Sequence, residues 1–542
     1  MITRFAQSLG QEFTGYSIET FFRDMLAGLT VAAVALPLAL AFGVGSGADA
    51  AAGLVTAILA GLFIGAFGGS SFLISGPTGA MAAILLPLST RFGVEGVLVA
   101  GFLSGIILVL ASALSAGRIV SIIPSPVITG FTSGIALIIV FGQVDNLLGV
   151  RSQGEHTIQK LLWFAQNSFT VSWQSIMFGL LTVMIMLLWP RRLAQRVPGS
   201  LAGLLGALVV NLLGPFSVQE VGTIPRTLLL EHRVTLTYLD LAFIQPLLVP
   251  ALSIAALGMI ETLLCGAAGS TMREDRVDSN QELFAQGLGN IIIPLFGGVP
   301  ATAAIARTSV GIKAGGRTRL TSVFHAGFLI ASMFLLSPVM SRIPLASLAG
   351  ILIMTAWRMN DWESIRTIFH KRYKTSIAQY LTTLVATVIF DLTIAIVIGI
   401  GLSALLFVIR SSYLDITVAN IDERHEKGRN LTDTYSEVKL VYVTGPLFFG
   451  SQDRLISTIE QIEDAKTIIL SIRGVPSIDH SAMMVLQTLY ASLERQGKRL
   501  IFCGLQSQVK RQFSRSGFDS IVGQESIFDN AVAAIDSLEL PV

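Results

Sequence analysis

"SFLISGPTGAMAAILLPLST", residues 71–90, opens with the strand-compatible Phe72, Leu73 and Ile74. It turns at Gly76, Pro77 and Gly79, then continues as an apolar run that stops near Pro87. That run is too short to cross a bilayer, which takes about 20 residues of helix. A break inside an apolar region is tolerated only where the backbone is buried in protein or lines a cavity. A half-helix starting at mid-membrane exposes its first amides there and carries the positive end of its dipole. The stretch therefore predicts half of an anion seat.

The rest of the chain supplies the membrane. It has 542 residues, 52% of them hydrophobic and only 13% charged, where a soluble domain carries about 25% charged residues. The apolar runs are expected to span at 25–46, 51–67, 96–114, 126–144, 174–189, 199–214, 245–267, 282–297, 319–337, 344–356, 376–391 and 393–410, with half-length pieces at 78–89 and 303–313. Those runs imply a polytopic α-helical membrane protein of about 14 segments. The N-terminal "FAQSLGQEFTGYSIETFFRDM" reads as amphipathic rather than as a cleavable signal. With the N-terminus inside, fourteen loop lysines and arginines lie on the cytoplasmic side against six on the other, which favours that orientation and a cytoplasmic C-terminus. The expected domains are a cytoplasmic segment 1–24, a transmembrane domain 25–410, a linker 411–435 and a cytoplasmic domain 436–542.

"SGPTGAMAAI" has a counterpart in "GVPATAAIART": a Gly/Pro turn, a threonine, then small residues opening a short helix. Pro77 and Pro300 are 223 positions apart, and the same offset carries Pro37 to Ile260, beside Glu261. Two seven-segment halves follow, and an odd number per half forces opposite orientations, the inverted-repeat plan of secondary transporters. The small residues Thr78, Gly79, Ala80 and Ala301, Thr302, Ala303, with Ala304, would let an anion reach the backbone. Arg307, one to two turns into the second half-helix, could attract it; alternatively it snorkels outward or pairs with Glu261. Glu261, inside "ALSIAALGMIETLLCGAAG", is expensive if it faces lipid. It is expected to face the core and to carry a proton or help hold a cation. Cys265 reads as packing, His325 as a satisfied buried histidine, and "DSNQEL" as a capping box from Ser279 to Glu282. No Walker A loop, HExxH pattern or metal-spaced Cys/His cluster occurs. No enzyme, cofactor, metal or nucleic-acid role is expected.

Beyond the polar connector "DERHEKGRNLTDT", "VKLVYVTG" reads as strand, "RLISTIEQIED" as helix and "TIILSIRG" as strand. "SAMMVLQTLYASLERQG" then reads as helix, "RLIFCGL" as strand, and "QVKRQFSRSG" and "SIFDNAVAAIDSL" as helices. This is a small α/β domain. Asp479 and Ser481 in "SIDHSAMM" stand at a helix start, either as an ordinary cap or as a phosphate position.

"AGLTVAAVALPLALAFG", "ISGPTGAMAAI", "IPSPVITGFTSGIALII", "QGLGNIIIPLFGGVPATAAIART" and the tail together resemble the sulfate permease (SulP) family of anion transporters. The resemblance implies a core and a gate domain as in the uracil permease, an anion between the N-termini of segments 3 and 10, a C-terminal STAS domain, and a homodimer in the inner (plasma) membrane. In "ALPLALAFGVGSG" the chain is more similar to the family's cyanobacterial bicarbonate transporter. That relative has Asp where Glu261 stands and Thr where Cys265 stands, in a sodium site, so sodium is less expected here than a proton. The resemblance places Ser481 at the phosphorylated position of regulatory relatives. The function expected is proton-coupled transport of bicarbonate- or sulfate-class oxyanions. A C4-dicarboxylate symporter, an uncoupled anion channel and a sensor without net transport are the alternatives.

Overall fold

A computed structural model describes residues 2–117, 124–150, 152, 157–194, 197–235, 240–390, 392–421 and 437–538. Arg118, Arg151 and Arg196 of the loop-charge count, and the connector 422–434, lie outside them. The chain forms two compact units, divided after Ile400.

Each apolar run of the first unit becomes helix. An amphipathic α1 (Ile2–Glu12) precedes α2 (Ile18–Gly45), and α3 starts at Ala50 and runs through a π-turn (Ala60–Ile64) to Phe67. Next come α4 (Gly79–Ala113), α5 (Ser125–Gly142), α6 (Trp173–Leu188) and α7 (Gly199–Leu213). The second half holds α8 (Leu248–Arg273), α9 (Ser279–Leu295), α10 (Ile305–Lys313) and α11 (Leu320–Met340), then α12 (Leu345–Met359), α13 (Lys374–Ile389) and α14 (Leu392–Ser411). Gly93, at φ 73°, breaks α4 into a half-helix and a following span. This is a left-handed conformation that glycine adopts without strain. Six of these helical stretches are long and apolar enough to cross a membrane, among the described residues.

The packing follows the repeat. α2 lies against α11 as α8 lies against the later part of α4, and α5 lies against α13 as α12 lies against α6. Two short strands tie the halves together at the centre. β1 (Ser75–Gly76) pairs antiparallel with β2 (Thr302–Ala303), Ser75 opposite Ala303 and Gly76 opposite Thr302. Small residues permit the closest helix contacts. A Cβ on Gly53 would lie 2.0 Å from the Ala39 carbonyl oxygen, a backbone atom that cannot rotate away. Gly53→Ala is therefore expected to cost at least about 1–3 kcal/mol, the range for overpacking, read as a lower unfolding temperature in detergent.

Three side-chain networks fix the ends of elements. Asp24, fully buried, accepts from the Arg317 and Thr318 amides and from the Thr318 and Thr321 hydroxyls, holding the start of α11. Arg319 pairs with Glu12 at 2.7 Å, both nearly buried, and so binds α1 to the same corner. The expected capping box does not form. Asp278 caps α9 instead, accepting from the Asn280 and Gln281 amides. Glu282 turns away to accept from the Gly69 amide at 2.7 Å, a partly buried donor in the turn before β1 that needs a partner.

The second unit contains a five-stranded sheet in the order β3 (Asp415–Asn420), β4 (Val438–Thr444), β5 (Thr467–Gly474), β6 (Arg499–Cys503) and β7 (Ile527–Phe528). β3 pairs antiparallel with β4, and the remaining pairs are parallel. Helices α15 (Gln452–Glu460), α16 (His480–Arg495) and α17 (Ser507–Arg515) follow their strands in the expected order. Two expectations fail at the sheet edges. β3 lies within 411–435, the stretch read as a linker. "SIFDNAVAAIDSL" begins as β7 and becomes helical only at Ala531. Cys265 and Cys503 are both free and buried. Burial pushes the Cys503 thiol up from its ordinary range.

Candidate functional site: the paired half-helices

The two strands β1 and β2 run antiparallel, so the helices that follow them depart in opposite directions and keep their N-termini beside one ladder. Thr78 caps α4, its hydroxyl accepting from the Met81 amide at 3.3 Å. The amides of Gly79 and Ala80 have no acceptor within the helix, and neither residue carries a side chain larger than methyl.

The second half-helix starts later than the sequence suggests. Thr302 and Ala303 lie in β2, and Ala304 takes the N-cap position with no side-chain cap. The first helical residue is therefore the bulkier Ile305. Alignment on Pro77 and Pro300 misplaces the start because the strand after Pro300 occupies residues that, after Pro77, already belong to the helix. Ala303 is held instead from behind, its amide donating to the Thr262 hydroxyl at 3.3 Å.

A polar web stands behind both half-helices. The Thr78 hydroxyl donates to Glu261 at 2.9 Å. Thr262 and Thr302 share a hydrogen bond of 3.1 Å. Asn290 spans the turn before β2, accepting from the Ala301 amide at 2.8 Å and donating to its carbonyl at 3.1 Å; Gln286 donates to that carbonyl too. Thr56 donates to the Val299 carbonyl at 2.9 Å. Glu261 thus joins the helix of the second half to the cap of the first. Cys265, one turn further along α8, donates weakly to the Thr308 hydroxyl at 3.4 Å, and Thr308 in turn accepts from the Ile74 amide at 3.0 Å. Cys265 packs within the ladder's supports, in line with its reading as a packing residue.

Arg307 does neither of the alternatives considered for it. It is 1% exposed, so it does not snorkel. It forms no ion pair with Glu261 among the described residues. Its Nη2 donates to the Pro77 carbonyl at 2.8 Å, and its Nη1 lies where a Cβ on Gly76 would be, 2.1 Å away. The second half-helix therefore sends its cation back across the ladder to the turn that opens the first. Gly76 is required there because any side chain would displace the guanidinium.

A cavity of about 840 Å³ approaches the site from one end. Thr30, Val34 and Leu38 of α2 line it, with Ala306, Val310 and Lys313 of α10 and Thr355 and Arg358 of α12. Its charged lining residues are both cations, and it reaches the first turn of α10.

Sequence reasoning missed Asn290, Gln286 and Asp24. The first two lie in "QGLGNIII", where amides among small residues on an apolar helix were the available signal. His325 was expected to be satisfied. It is fully buried, and neither ring nitrogen has a hydrogen-bond partner among the described residues. In the second unit Asp479 is the cap of α16, accepting from Ala482 at 2.7 Å and from the Phe449 amide at 3.1 Å. Ser481, in the first turn, is exposed.

Inverted halves, two broken spans meeting at a ladder and a cation folded over the break define a membrane carrier architecture with a sheet domain appended. The chain belongs to the sulfate permease family, whose profile matches residues 21–406, and a STAS domain profile matches residues 431–534. It is 35% identical to a putative sulfate transporter, YvdB of Bacillus subtilis, over 96% of this chain and 98% of that protein. It is 29% identical to the bicarbonate transporter BicA of a Picosynechococcus strain, over 94% and 95%. Among solved structures, the transmembrane domain of a cyanobacterial BicA superposes with a TM-score of 0.65 at 30% identity, covering 70% of this chain and 98% of that one. Murine Slc26a9 shares the fold over 96% of this chain and 92% of its own, with a TM-score of 0.83 at 17% identity.

Proposed function

We propose that this chain is a secondary active transporter of small oxyanions of the bicarbonate or sulfate class, coupled to protons. The observation that carries the reading is the Arg307 guanidinium at Gly76 and Pro77, beside the free first amides of α4. Helix-end amides and a buried arginine both favour negative charge, and the relatives named for sulfate and bicarbonate transport share this chain nearly end to end. The anion sits between the N-termini of α4 and α10, against Gly79 and Ala80 on one side and Ala304 on the other. Thr78 and Thr302 serve it indirectly, since their hydroxyls are bonded to Glu261 and Thr262. Glu261 carries the coupling proton. Sodium is disfavoured because Cys265 offers sulfur where a hard cation wants oxygen. The core moves relative to the gate in an elevator-like or rocking motion. Both termini lie in the cytoplasm, the protein works as a homodimer in the inner membrane, and Ser481 is its regulatory position.

Uptake of labelled bicarbonate, sulfate and fumarate into proteoliposomes tests the reading. An inward proton gradient is expected to drive accumulation of an inorganic oxyanion, and a sodium gradient is not. Strict sodium dependence would overturn the coupling assignment. Preference for fumarate would reassign the cargo, and large uncoupled currents in a planar bilayer would make the protein a channel.

A further inference from the structure

Four buried polar atoms around the ladder have no hydrogen-bond partner among the described residues: Ser75 Oγ, Arg307 Nη1, and Nδ1 and Nε2 of His325. Buried polar groups are overwhelmingly satisfied, by protein or by ordered water. The three on Arg307 and His325, which lie along one helix, require an explanation.

Helix α3 locates them relative to one another. Arg307 Nη1 lies 2.1 Å from the position of a Cβ on Gly76, and the same position is 3.6 Å from Ala57 Cα. His325 Nδ1 lies 3.4 Å from the position of a Cβ on Gly61. Ala57 and Gly61 are four residues apart on α3, so they are neighbours on one face, about 5–6 Å apart. Arg307 and His325 therefore stand along that face, one helical turn of α3 apart. Gly61 belongs to the π-turn Ala60–Ile64, a local widening that is frequent at functional sites. Ser322, one turn before His325 on α11, donates to the Gly61 carbonyl at 3.0 Å and fixes the two helices there.

We propose that His325 is a positioning residue for Arg307, acting through one or two bound waters between its ring and Arg307 Nη1. A neutral imidazole offers one donor and one acceptor. The acceptor nitrogen takes a water proton, and the water oxygen takes the Nη1 proton of Arg307. A buried water makes about three such bonds, and these are two of them. Arg307 is then held from both ends, by the Pro77 carbonyl at Nη2 and by this water at Nη1. The role rests on the reading of Arg307 as part of the anion seat.

His325→Leu and His325→Gln in the full chain separate positioning from packing. Leu fills similar space without polar atoms, so it is expected to leave the unfolding temperature unchanged or raise it. It is expected to raise the half-saturating anion concentration about tenfold, the loss of one hydrogen bond to a charged group. Gln, which keeps a donor and an acceptor, restores the affinity to within about twofold. In an Arg307→Gln background the Leu substitution adds nothing. An unchanged affinity in His325→Leu, or an affinity loss that persists undiminished in the Arg307→Gln background, overturns the inference. If Arg307→Gln itself leaves affinity intact, the anion-seat reading falls, and this role with it; a damaged Arg307→Gln beside an intact His325→Leu removes the histidine alone.

Discussion

Arg307→Gln is expected to raise the anion concentration needed for half-maximal uptake by about ten- to a hundredfold. A hydrogen-bonded contact to a charged group contributes about 1.5–3 kcal/mol, and each 1.4 kcal/mol is roughly a factor of ten in binding. The loss should exceed that of an exposed lysine contact because Arg307 is buried, where charge is poorly screened. Gln retains a donor for the Pro77 carbonyl, so the first half-helix keeps its turn and folding is spared. The check is a saturation curve in proteoliposomes beside a thermal unfolding curve. A half-saturation value that stays within twofold would remove Arg307 from the seat.

Glu261→Gln is expected to abolish accumulation driven by a proton gradient while leaving anion exchange between the two faces. The amide still accepts from the Thr78 hydroxyl, which sits at 2.9 Å in the carboxylate form, so the cap of α4 survives. The amide takes up no proton at any accessible pH. Counterflow of labelled anion, measured without a gradient, should persist at a substantial fraction of the original rate. Gradient-driven uptake should fall to the level of empty vesicles. Unimpaired accumulation by this variant would take coupling away from Glu261.

Much of this arrangement was legible in the sequence because backbone breaks in apolar runs have few physical causes. "SGPTGAMAAI" placed the first helix start correctly, since Thr78 is a capping residue followed by small ones. "VPATAAIART" placed the second about two residues early. Its true cap, Ala304, has no side chain to announce it, and nothing local distinguishes Thr302 in a strand from Thr302 at a helix start. "DSNQEL" matched a local pattern that lost to a long-range demand: the Gly69 amide needed an acceptor and Glu282 supplied it. Arg307 shows the same limit. Its place in the half-helix left snorkelling, ion pairing and a role toward the anion all open, because its direction depended on Gly76, which lies in the other repeat. The sheet domain was legible in its central strands, where apolar runs are continuous. It was misread at β3 and β7, whose edge positions leave weaker patterns.

The ladder between β1 and β2 also constrains how the protein is made. Residues 75–76 reach the bilayer early in synthesis, but their pairing partners, residues 302–303, arrive only after the rest of the first repeat and the first two helices of the second, α8 and α9, have been made. Until then the first broken span has backbone groups that its own half cannot satisfy. The nascent first repeat must either wait with that segment near the aqueous boundary or keep water beside it. The centre of the molecule thus cannot close until the second repeat has begun to arrive. Neither repeat could have worked by itself in this form, and a chain truncated between them would carry an unfinished membrane segment as a target for quality control.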